Sequence, residues 1–112
     1  MLILFDQGTP VPLRAFLIGH TVKTAAEQEW STLANGKLLD AAEAASFEIL
    51  VTTDKNLPKQ QNLMLRKLSI VVLGNAQWPV LKLHVQLVVD AINSAKPGSY
   101  SVVDIPPRDQ TI

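Results

Sequence analysis

The chain of 112 residues contains no cysteine, which excludes disulfides, thiolate zinc sites and thiol catalysis, and fits a reducing compartment. It also lacks an excess of charge, since ten basic and ten acidic residues cancel. No global basic field announces nucleic acid, so a nucleic-acid site has to be local. The same neutrality leaves little repulsion between copies, and a homodimer is one expectation. Long apolar runs are missing too. The opening MLILF stops at Asp6 and carries no basic stretch before it, too short for a signal peptide or a membrane span. A cytoplasmic protein with no membrane partner is expected. Repeats, low-complexity tracts, a glycine-rich phosphate loop, Gly-x-Ser-x-Gly and HExxH are all absent.

What remains is a chain 47% hydrophobic and 18% charged, enough for one core. A single domain over 1–105 with an exposed tail at 106–112 is expected. Five strands are predicted: Leu2–Phe5, Thr21–Thr24, Glu48–Thr52, Ser69–Leu73 and Ser101–Ile105. The first, third and fourth are short continuous apolar runs, as in strands buried on both faces. Helices fall between them. The first covers about Pro10–Ile18, with Thr9 as N-cap and Gly19 as its end. Asn35 caps the second, over Gly36–Ser46, and the third covers Pro58–Arg66. Trp78-Pro79 opens the last, whose apolar positions Leu81, Val85, Val88, Ile92 and Ala95 recur at helical spacing until Lys96-Pro97-Gly98. The alternation predicts an α/β fold with a mainly parallel sheet, helices on both faces and right-handed crossovers.

Asp6 follows strand LILF as Asp54 follows ILVTT. If those strands are neighbours, the two carboxylates stand close enough to share one hard cation, Mg²⁺ or Mn²⁺, the usual arrangement for phosphoryl chemistry. Each acid alone has a simpler reading, as a turn or cap residue. Thr53 and Asn56 can bind a metal water or a phosphate oxygen, and Gln60 is one of several amides on the helix that follows. Lys55 and Lys59 belong to a sparse basic cluster that can meet an RNA backbone. His20 and His84 have no second ligand at metal spacing. Trp30 and Trp78 read as packing.

In order along the chain, LILFDQGTPVPLRAFLIGHTVKT, EWSTLANGKLLDAAEAASFEILVTTDKNLPKQQNL and IVVLGNAQW resemble the small PIN-like proteins related to PIN-domain nucleases. The markers are the strand ending on Asp6, Pro12-Leu13, Gly19-His20, Trp30, Asn35-Gly36 before Leu38-Leu39, Thr52 to Leu57, and Gln60 to Leu63. The resemblance implies a three-layer α/β/α PIN-like fold of about five strands, with Asp6 and Asp54 in an acidic pocket. It also implies a metal-dependent ribonuclease, and often a toxin neutralised by an antitoxin protein. Three departures stand against a full acidic set. Gln7 replaces a second acid, Lys37 stands where the family presents a Glu, and Gly74-Asn75 follows the fourth strand without an acid. Asp40, one turn beyond Lys37, is a candidate replacement, while Lys37 is a candidate partner for Asp6 or Asp54 in place of a metal. The alternative reading is therefore a non-catalytic module that binds RNA or a protein. Receiver domains share the placement of Asp6 and Asp54, but Gln7 and the lysine-free VVDIPP lack what their phosphoryl chemistry needs.

Overall fold

The computed structural model describes residues 1–60, 62–63 and 66–106. Its strands are β1 (Leu2–Phe5), β2 (Thr21–Thr24), β3 (Ile49–Thr52), β4 (Ser69–Leu73) and β5 (Tyr100–Val103). They form one all-parallel sheet in the order β2-β1-β3-β4-β5. Burial follows that order. The central strands β3 and β4 are buried at every residue, whereas the edge strands β2 and β5 alternate. This is why LILF, ILVT and SIVVL read as unbroken apolar runs.

Two apolar layers cover the sheet. On one face Ile3, Phe5, Ile49, Val51, Val71 and Leu73 pack beneath a 3₁₀ helix (Val11–Phe16) and a helical segment made of α3 (Trp78–Leu81), a 3₁₀ turn (Lys82–His84) and α4 (Val85–Asn93). On the other, Leu4, Leu50, Ile70 and Val72 pack against α1 (Asn35–Ala44) and Leu57 of α2 (Leu57–Gln60). The architecture is the three-layer α/β/α arrangement read from the sequence. Trp30 lies edge-on to Phe47, and Phe16 lies 5.8 Å from Trp78, so both tryptophans do pack.

Several details differ from the expectation. The first helix is a 3₁₀ segment starting at Val11, and Thr9 does not cap it: its hydroxyl donates instead to the Val51 carbonyl. Asn35 is the first residue of α1 rather than its cap. The third helix is one turn long, and Asn62, Leu63 and Arg66 lie outside it. Gln61 and the tail residues 107–112 fall outside the described residues, while Pro106 is exposed.

The crossovers are not all of one hand. The step from β1 to β2 passes over the same face as the step from β4 to β5, yet the two steps run in opposite directions along the sheet. The steps through α1 and α2 run in the β4-to-β5 direction over the other face. Three connections therefore share one hand and the last has the other, against the strong rule for parallel sheets. Coverage gives the reason. A six-residue 3₁₀ helix spans roughly 12 Å and cannot roof β3 and β4. The apolar stripe of Leu81, Val88 and Ile92 covers Val51, Val71 and Leu73 instead.

Candidate functional site

In a doubly wound sheet, ligands settle where the strand order reverses, outside the carboxyl ends of the strands. Here that point lies between β1 and β3, the strands that lead to Asp6 and Asp54. Ile3 is level with Ile49 and Phe5 with Val51, so Asp6 falls level with Thr52. Asp54 lies two residues further along, beyond the end of β3.

Thr52 joins them. Its hydroxyl, fully buried, donates to Asp6 Oδ2 at 2.9 Å and accepts from the Asp54 backbone N–H at 3.1 Å. Asp6 Oδ1 accepts from the Gln7 N–H at 2.8 Å, and Asp54 Oδ1 accepts from the Asn56 N–H at 2.9 Å. Each acid therefore uses one oxygen to shape the chain beyond its strand, as an Asx residue does. Asp6 is also fixed through its backbone, since its N–H donates to the Val51 carbonyl. Residues Asp6 to Thr9 then close a turn by the Thr9 N–H to Asp6 carbonyl bond, with Gly8 at φ +87°. That is the position where a type II turn requires glycine. A Cβ on Gly8 would lie 3.2 Å from Thr53 Oγ1, so the turn sits directly over that hydroxyl.

The remaining predicted residues divide. Thr53 is half-buried beside the turn, whereas Lys55, Asn56 and Lys59 are exposed around Asp54 and the start of α2. Gln60 ends α2. Asn75 turns the chain into α3, its Oδ1 accepting from the Gln77 N–H at 2.8 Å. Lys37 is exposed in the first turn of α1, and among the described residues it pairs with neither Asp6 nor Asp54. Asp40 does not join the acids, because Arg66 holds its carboxylate at 2.9 Å and also bonds Glu43. Among the described residues no three His, Cys, Asp or Glu side chains gather at metal-binding distance.

Gly74 adds a steric limit. A Cβ there would come within 2.8 Å of the Val103 carbonyl oxygen, so position 74 accepts no carboxylate side chain while β5 holds its place. The nearest concavity, about 190 Å³, borders Asp6 on its β2 side, with Gln7, Thr9, Thr24, Ala25 and Ala26 around it. Asp54 does not line it.

No family model, curated protein or solved structure matches the chain. The PIN-like reading accordingly rests on the sequence markers and on what the residues themselves can do.

The side chains that follow the two strand ends, Asp6, Thr53, Asp54 and Asn56, offer oxygen donors. That is the chemistry of a hard divalent cation that keeps several of its waters. It suits neither zinc nor copper, which favour nitrogen and sulfur. Thr52 was not singled out from the sequence, although the signal was there. Aligning LILF with ILVT in register puts Thr52 beside Asp6. The Thr24-x-x-Glu27 pattern was missed as well. Thr24 and Glu27 bond reciprocally, the Thr24 N–H to Glu27 Oε1 at 2.8 Å and the Glu27 N–H to Thr24 Oγ1 at 3.0 Å. This capping box fixes the lip of the concavity. Arg14 reaches the same carboxylate at 2.8 Å.

Proposed function

We propose that this protein is a PIN-like, divalent-cation-dependent phosphodiester hydrolase acting on RNA. The observation that carries the reading is the pair of acids just beyond the ends of adjacent central strands, with the buried Thr52 hydroxyl bonded to the Asp6 carboxylate and to the Asp54 backbone N–H. Asp6 and Asp54 would hold Mg²⁺ or Mn²⁺, which when bound supplies an activated water and charge neutralisation for attack at phosphorus. The Thr52 hydroxyl and the Gln7 N–H each take one Asp6 oxygen and so fix the orientation of that carboxylate. Thr53 and Asn56 offer a hydroxyl and an amide to orient a water or a phosphate oxygen. Lys55 and Lys59, exposed on the approach, offer positive charge to an RNA backbone, and Lys37 does so from α1. On the same reading the protein works in the cytoplasm, with an antitoxin protein as the partner that holds it in check.

Calorimetric titration of Mn²⁺ into wild type and Asp54→Asn, with a fluorescent-RNA cleavage assay on the same samples, tests this. Binding and cleavage should both be lost in the variant. A folded wild type that neither binds Mn²⁺ nor cleaves overturns the hydrolase reading.

One observation favours a second reading, a non-catalytic module that binds RNA or a protein. Among the described residues no group of three potential metal ligands forms, and Asp6 and Asp54 each already serve a turn. Lys37→Glu separates the two. Gain of Mn²⁺ binding and cleavage absent from wild type marks a site that has lost its acid, whereas unchanged activity in an already active protein removes this reading.

A further inference from the structure

The exposed apolar residues are unevenly distributed. Among the described residues, the large hydrophobic side chains left exposed are Met1, Val11, Phe16, Ile18, Leu83, Leu87, Tyr100 and Val102. Five of these lie on the 3₁₀ helix and its exit or on the Lys82–Asn93 segment, and none lies on α1 or α2. A single exposed leucine needs no explanation, but a collection on one layer does. Leu83 is 62% and Leu87 43% exposed, one helical turn apart, and the 3₁₀ helix packs against α4 and places Phe16 beside Trp78.

We infer that this outer face is the contact surface for a second copy of the chain, with the two α4 segments antiparallel across a two-fold axis near Gln86. The charges on the segment carry the choice of occupant. Lys82 and Asp90 stand four residues before and after Gln86. Both are exposed, and neither forms an ion pair among the described residues. Gln86 Nε2 donates to Asp90 Oδ1 at 2.8 Å, so these side chains share the outward face. A two-fold contact is self-complementary, residue i meeting residue j and j meeting i. With the axis at Gln86, Lys82 of each copy meets Asp90 of the other, twice, while Leu87 lies against the axis and meets its own counterpart. A partner of one charge sign would satisfy only half of this pattern. The neutral chain adds no long-range repulsion between copies. The residues of the contact, Lys82, Leu83, Gln86, Leu87 and Asp90, are none of those placed in the proposed site, so the inference does not depend on the proposed activity.

Sedimentation equilibrium of the full chain at micromolar concentration should give twice the chain mass. Leu83→Ser/Leu87→Ser should give a monomer with an unchanged circular dichroism spectrum. Because both positions are exposed, folding is not at stake. Lys82→Asp and Asp90→Lys should each weaken the dimer at least tenfold, and the two together should restore it. A monomeric wild type, a dimer indifferent to the leucine pair, or a double charge swap that fails to restore association would each overturn the inference.

Discussion

Thr52 shows how much a single hydroxyl can decide. It is the last residue of β3, completely buried, and both its hydrogen bonds go to the residues that define the site. Thr52→Val keeps the shape but leaves the Asp54 N–H without its acceptor and frees Asp6 Oδ2. The expected cost is about 1–3 kcal/mol of stability, read from urea unfolding. Mn²⁺ affinity should fall as well, which calorimetry reports; a variant as stable as wild type would show that Thr52 bridges nothing. Gly74 decides in the opposite sense, by what it excludes. Gly74→Ala drives a Cβ into the Val103 carbonyl. It should cost about 1–3 kcal/mol through overpacking, with hydrogen exchange rising first in β5. At this scale the sequence was only partly legible. Asp6 and Asp54 announce themselves as charges after apolar runs. Thr52 is masked because threonine is an ordinary strand residue whose importance depends on register.

Strand positions were legible as elements because both faces of β1, β3 and β4 are covered, and composition alone records that. The helices were less so. Thr9 followed by Pro10 suggested a helix start, but the Thr9 hydroxyl is drawn to the Val51 carbonyl and the chain that follows forms a 3₁₀ segment. Elements here are joined by charge as well as by apolar contact. Arg66 ties α1 to the chain before β4 through Asp40 and Glu43, and the Lys67 N–H adds a second bond to Glu43. Burial disfavours the Arg66 charge, yet the bonds to Glu43 and Asp40 outweigh it and hold the guanidinium above its usual range. Arg66→Met should therefore cost about 2 kcal/mol in thermal or urea unfolding, well beyond a surface ion pair.

The capping box after β2 gives a prediction in pH. Glu27 titrates below its ordinary value of 4.5, first because the Thr24 N–H donates to it and next because Arg14 does. A lowered folded value means that the contribution is present above the ordinary Glu range and is lost as pH falls through the lowered value. Carbon-detected NMR should place the Glu27 midpoint below 4.5. Arg14→Gln should move it only part of the way back, because the backbone donor remains. A full return would assign the shift to Arg14 alone.

For the whole molecule, alternation of strands and helices was enough to give the layers and the parallel sheet. It was not enough to give the hand of the last connection, since periodicity tells which side of a helix is apolar and nothing about which face of the sheet it will choose. That choice depends on a deficit elsewhere, the shortness of the 3₁₀ helix, which leaves Val51, Val71 and Leu73 for Leu81, Val88 and Ile92 to cover.

The late return of α4 has a consequence for the chain as it leaves the ribosome. When Leu73 has emerged, four strands and one complete apolar layer exist, but the opposite face of β3 and β4 is bare. Synthesis at about 5–20 residues per second then leaves that surface waiting for about 1–4 seconds until residue 93 clears the exit. Nascent chains halted after Leu73 should therefore recruit chaperones that chains halted beyond Val103 do not, and ribosome-bound crosslinking at the two stall points would show it.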